Sequence, residues 1–309
     1  MRSLISEFSY GFALTHELVQ AMGSLSAAPI FPSLIDEGAA GGGYDVKLEK
    51  PGLPVYIQFK RSECVTRKSG REIKNGADLS PPYYRFAVTA SADSDQHDML
   101  LGWDVAPNEV FYAAPMFHTK PEFDDAFMKG EVRQRSFFVR PRIIGSFGDD
   151  KTHHISFDGR KCYKMSEPAE IKALGVADLE QYFIDELKKN EQSLEKQLPD
   201  VLNSARSLRS AIRKREADEQ EKDEVRQSQR SILTTTQVTR LAVTDGSKVS
   251  SEEQEISRAD EFVRLQRAAI PPVPLPMAAV DDPKGQLAEL ADISIRDINA
   301  QLYIIQTRE

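Results

Sequence analysis

Asp45, Gln58 and Lys60 are the residues of this chain whose types and spacing best suit a chemical task. A carboxylate and an amide oxygen are hard donors suited to Mg²⁺ or Mn²⁺, and Mg²⁺ takes one or two protein carboxylates and leaves room for water and phosphate oxygens. An ammonium beside them orients or helps deprotonate the attacking water and offsets charge gathering on the phosphate. Together the three fit metal-assisted hydrolysis of a phosphodiester. The stretch that must position them runs from Gly43 to Lys60 and reads as a β-hairpin. Tyr44, Val46 and Leu48 alternate with Asp45, Lys47 and Glu49, Pro51-Gly52 make a turn, and Val55 to Lys60 are mainly β-formers. Symmetric pairing about that turn sets Asp45 opposite Gln58. The two-residue period of a strand then puts Gln58 and Lys60 on one side and Phe59 on the other.

Gly-x-Asp followed by an apolar strand ending Gln-x-Lys resembles the PD-(D/E)XK, or restriction-endonuclease-like, nuclease superfamily. The resemblance implies an α/β domain with a mixed central sheet flanked by helices, and a Mg²⁺-dependent endonuclease acting on DNA in preference to RNA. It assigns Asp45, Gln58 and the main-chain carbonyl of Phe59 to the metal, and Lys60 to the water. It also suggests a role for Glu17, because many members carry an acidic residue on the helix before the core hairpin. Two departures stand out. Gln58 occupies a place where most members have Glu or Asp, which removes a negative charge from the metal site, and Gly43-Tyr44 stands where the Pro would be. By association with the fold, such a domain belongs with restriction or anti-phage defence. The competing reading is a catalytically weak, nuclease-like DNA-binding or scaffold subunit that recruits a partner protein.

At 309 residues the chain is long enough for two domains and a sizeable core, and its 40% hydrophobic and 28% charged content is that of an ordinary globular protein. A net charge of −8 does not advertise a nucleic-acid binder. Its distribution qualifies that: Arg61, Arg67, Lys68, Arg71 and Lys74 crowd the segment after Lys60. They form either a positive surface for a nucleic-acid backbone or a normally solvated face. Cys64 and Cys162 have no spacing that suggests zinc or a disulfide framework, which points to a reducing, cytoplasmic location. The first residues read as neither a signal peptide nor a membrane span.

The elements around the hairpin follow from periodicity. Residues 3–22 read as a helix with Ile5, Phe8, Phe12, Val19 and Met22 as its apolar stripe, stopped at Gly23. Glu17 lies off that stripe and either reaches the metal site or is a surface carboxylate. The glycines between Gly38 and Gly43 lack the Lys-Ser/Thr ending of a P-loop, which excludes that nucleotide site. Strands are expected at 84–90, 110–117, 137–144 and 153–157, with a short helix over 94–104 and a helix start at Thr119. This makes residues 1–165 one nuclease-like domain.

From Ser166 the reading changes to an all-α C-terminal region, 166–309, with polar or Pro-rich linkers near 213–250 and 271–284. Val176 to Gln197 reads as a helix, with Pro199 opening the next one, and Gln286 to Thr307 as the last helix. Such helices either serve a homo-oligomer or a partner protein as a docking region, or fold back on the first domain.

Overall fold

The computed structural model describes residues 1–30, 46–88, 96–147, 149, 151–165, 168–211, 213–214 and 282–308. In chain order the elements are α1 (Glu7–Ala21), β1 (Leu25–Ile30), β2 (Leu53–Phe59), β3 (Glu63–Val65), α2 (Arg71–Lys74), β4 (Tyr83–Val88), α3 (Gln96–Trp103), β5 (Glu109–Pro115), α4 (Lys120–Lys129), β6 (Ser136–Val139), α5 (Pro141–Ile144), β7 (His153–Phe157), β8 (Cys162–Lys164), β9 (Ala169–Glu170), α6 (Val176–Lys189), α7 (residues 194–211), α8 (Pro283–Ile298) and β10 (Gln301–Thr307). They build one compact unit from Met1–Ile212 and Ala278–Glu309; of a second unit, Arg213–Met277, only residues 213–214 are described.

The architecture is mixed α/β with two sheets. The first has the order β1-β10-β2-β5-β6, with β2 parallel to β5 and the other neighbours antiparallel. As the middle strand, β2 is bonded along both edges and covered on both faces, which explains its nearly unbroken apolar run. The second sheet, β3-β4-β7-β8-β9, is antiparallel throughout.

The expected hairpin does not form over the described part of its first arm. Residues 46–50 make a turn in which the Lys50 N–H donates to the Lys47 carbonyl at 3.0 Å. Symmetric pairing would set Lys47 beside Tyr56, but the partners of Tyr56 are Leu302 and Val110. Lys47 is instead clamped to Gln306, donating to its Oε1 at 3.0 Å and accepting from its Nε2 at 2.9 Å. The physical reason is burial: a strand in the middle of a covered sheet takes an apolar neighbour, and Leu302 to Ile305 provides one where the charges of Lys47 and Glu49 would have to be desolvated.

That neighbour is the end of the expected last helix. The helix stops at Asn299, whose left-handed φ of 50° asparagine tolerates better than most residues. After it the β-branched and aromatic run Tyr303-Ile304-Ile305 enters the sheet. Residues 283–307 therefore belong to the same unit as the first sheet, and the described residues after Ser166 include two strands. The break between α6 and α7 falls at 190–193, and Pro199 lies inside α7, near its start.

Two cores flank the first sheet. Val55, Ile57, Phe111, Ala113, Phe138, Tyr303 and Ile305 point towards α1, α4 and α6. Tyr56, Val110, Tyr112, Phe137, Leu302 and Ile304 point towards the second sheet and helices α3, α7 and α8. The sheets meet through rings, with Phe137 stacked on Phe157 at 4.9 Å and Phe86 5.6 Å from Tyr112.

Helix α1 is turned from its expected orientation. Its buried residues are Tyr10, Gly11, Ala13, Leu14, Glu17 and Leu18, while Phe8 and Phe12 face solvent. Ala13, Leu14 and Gly11 are small or flexible enough to sit close to the sheet, and the close approach outweighs the bulk of the phenylalanines. Among the described residues, no helix is long and apolar enough to cross a membrane.

Candidate active site

The site is built at the C-terminal end of β2. Gln58 carries the one side-chain amide in that strand, next but one to the Tyr56 hydroxyl in sequence, and is only 1% exposed. Its Oε1 is buried and has no hydrogen-bond partner among the described residues. Leaving such an acceptor unsatisfied costs about 1–3 kcal/mol, so an oxygen held in this way is either a burden on stability or a ligand waiting for its cation. Across the parallel register Gln58 faces Tyr112 of β5.

Lys60 follows the strand and extends its ladder, its N–H donating to the Ala113 carbonyl at 2.8 Å. The alternation places it on the Gln58 face. Its Nζ donates to Gln96 Oε1 at 3.4 Å and stands 5.5 Å from the centroid of the Tyr112 ring. Burial holds the Lys60 ammonium below the usual lysine range; Glu7 opposes that shift and Arg61 adds to it. A lysine with a depressed pKa gives up its proton more readily than an exposed lysine does.

Behind Lys60 lies a polar relay. The Gly145 carbonyl accepts from His97 Nε2 at 2.9 Å, so the proton of the neutral ring is on Nε2. His97 Nδ1 then accepts from the Tyr112 hydroxyl at 2.9 Å. Burial keeps His97 neutral by lowering its pKa and pushes that of Tyr112 up. Gln96 also donates through Nε2 to the Ile298 carbonyl at 3.5 Å, linking the start of α3 to the end of α8.

The other face of the strand fixes the depth of the site. Phe59 packs edge-on to Tyr10 with centroids 5.9 Å apart, and a Cβ on Gly11 would lie 2.7 Å from Phe59 Cδ2. Only a glycine lets α1 approach so closely there.

Of the residues singled out by sequence, Gln58, Phe59 and Lys60 stand together at this strand end, whereas Asp45 lies outside the described residues. Glu17 is not brought to the patch. It is buried on the α1 side of the sheet, where its carboxylate accepts from the backbone N–H of Val132 at 3.0 Å and of Arg133 at 2.7 Å. It thus holds the chain after α4, a structural duty. Arg61, Arg67, Lys68, Arg71 and Lys74 are all exposed, and none has an ion-pair partner among the described residues. Gln96, His97 and Tyr112 were not legible in the sequence, because only the sheet register and the seating of α3 bring them to Lys60.

No cluster of three or more His, Cys, Asp or Glu side chains that could hold a metal ion occurs among the described residues. The donor chemistry present is the unpartnered Gln58 oxygen beside an amine of lowered basicity. Comparison of the chain with protein-family models, with curated proteins and with solved structures finds no match.

Proposed function

We propose that this protein is a divalent-metal-dependent nuclease that hydrolyses a phosphodiester of nucleic acid at the end of β2. The observation that carries the reading is the buried, unpartnered Gln58 Oε1 on the same face as Lys60, whose ammonium is destabilised by burial. The likeness of the Asp45, Gln58 and Lys60 arrangement to the PD-(D/E)XK superfamily adds to it. The site also sits at the C-terminal end of a parallel strand pair, where open α/β sheets bind ligands.

In this reading Gln58 Oε1, the Phe59 carbonyl and Asp45 would hold Mg²⁺ or Mn²⁺, which would supply Lewis-acid polarisation of the phosphate. Lys60 Nζ takes or positions a proton of the attacking water as the new P–O bond forms, and the leaving oxygen departs on the opposite side of phosphorus. Gln96 fixes the direction of the Lys60 side chain, and the Tyr112 ring supports it from below. The exposed basic residues after Lys60 meet the nucleic-acid backbone. DNA is the favoured substrate, and cytoplasmic restriction or anti-phage defence the favoured setting, both on the strength of the resemblance.

The test is cleavage of linear, circular and single-stranded DNA and of RNA, with Mg²⁺ or Mn²⁺, by the wild type and by Lys60→Ala. Metal-dependent cutting that the variant loses supports the proposal. Absence of cutting, together with no metal-induced rise in thermal midpoint, leaves the nuclease-like binding subunit as the better reading.

A further inference from the structure

The outward face of α1 takes no part in the candidate site. Phe8, Phe12 and His16 follow at four-residue intervals and line up as one ridge along the helix, and Leu4 lies in the segment just before its Ser6 cap. Leu4 is 62%, Phe8 85% and Phe12 63% exposed. His16 is stacked on Phe12 with centroids 6.4 Å apart and meets Phe127 of α4 at 6.2 Å, so the ridge continues onto a second helix. Leu4, Phe8, Phe12 and Phe127 together leave roughly 500 Å² of apolar surface in water, taking about 200 Å² for a whole aromatic side chain. A standard protein interface buries about 800 Å² on each partner, of which about 60% is apolar, or roughly 480 Å². The ridge alone supplies that amount.

We propose that this ridge is a homodimer interface, in which two copies of the chain pack their α1 helices antiparallel about a twofold axis. The occupant follows from the shape of the ridge. Its helical knobs, Phe8, Phe12 and His16, are equally spaced, about 6 Å apart at four residues of helical rise. Turned end for end, the same ridge offers Phe12 of one copy to Phe8 of the other, and Phe8 of the first to Phe12 of the second, which is the self-complementarity an isologous contact requires. Antiparallel packing also opposes the two helix dipoles and sets the end carrying Glu7 near the end carrying His16. This inference is independent of the nuclease reading.

Sedimentation velocity on the full chain over a low- to high-micromolar series tests it, with wild type compared to Phe8→Glu/Phe12→Glu. The wild type sediments as a dimer, and the variant as a monomer whose dimer constant is weaker by about 100-fold or more, as expected on losing central aromatic anchors. The thermal midpoint of the variant, taken where both proteins are monomeric, stays that of the wild type because neither ring is buried in the monomer. A wild type that remains monomeric throughout, or a variant that dimerises equally well, overturns the proposal.

Discussion

The Tyr112 ring stands between two groups of the candidate site, with the Lys60 ammonium 5.5 Å from its centroid and His97 Nδ1 2.9 Å from its hydroxyl. The tyrosine thus separates an amine of lowered basicity from an imidazole held neutral. The two titrations that follow are measurable independently.

Activity should rise with pH through the Lys60 titration and level off below the usual lysine range, since burial favours the neutral amine. Lys60→Ala and Lys60→Arg should each lose about 100-fold or more in rate, the arginine because its guanidinium stays protonated at every working pH. A pH–rate profile for single-turnover cleavage checks this. A Lys60→Arg enzyme with the wild-type profile would exclude proton transfer by Lys60.

Stability carries the second titration. His97 has a folded-state pKa below its unfolded value of about 6.5, so on acidification the unfolded state takes up the proton first. Its contribution is complete above that unfolded value and is lost as pH falls towards the folded pKa. Denaturant midpoints should therefore decline with falling pH in that window, and His97→Gln should flatten the decline. His154, also lowered by burial, leaves a residual slope.

Glu17→Ala should destabilise the fold by about 2–4 kcal/mol, because two backbone N–H groups lose charge-assisted bonds and Val132 is buried. Under the proposed nuclease function, protein that remains folded should keep its cleavage rate, since Glu17 lies on the α1 side of the sheet. A turnover loss at unchanged stability would instead place Glu17 in the chemistry.

Gly11→Ala should cost about 1–3 kcal/mol, as its new methyl would meet the Phe59 ring at 2.7 Å. Thermal unfolding measures the cost. Phe59→Leu in the same chain should recover part of it by removing the ring.

How far the sequence spoke for the structure depended on whether a signal was local. The capping box of Thr119 with Glu122 opens α4 as its spacing predicts, and the alternation around Gln58 assigns the correct sides to Gln58, Phe59 and Lys60. What failed was choice of partner. Pro51-Gly52 is a sound local turn signal, yet β2 takes β10 from the far end of the chain because central strands demand apolar neighbours. Residues 301–307 carry enough isoleucine and leucine to extend a helical stripe, and only the Asn299 reversal ends it. Phe8 and Phe12 misled for a related reason, because apolar spacing marks a face that becomes buried without saying whether the same chain buries it.

The place of β10 also bears on how the molecule comes into being. Ser26 of β1 donates to the carbonyl of Gln306, 280 residues later, and β1 has no other neighbour in its sheet among the described residues. During synthesis at the ribosome, which proceeds from the N-terminus, β1 and the adjoining edge of β2 must wait unpaired until residues 301–307 emerge. The nascent protein therefore presents open strand edges until residues 301–307 have been made, and a nonsense mutation between β1 and Gln301 leaves a chain whose main sheet lacks its closing strand.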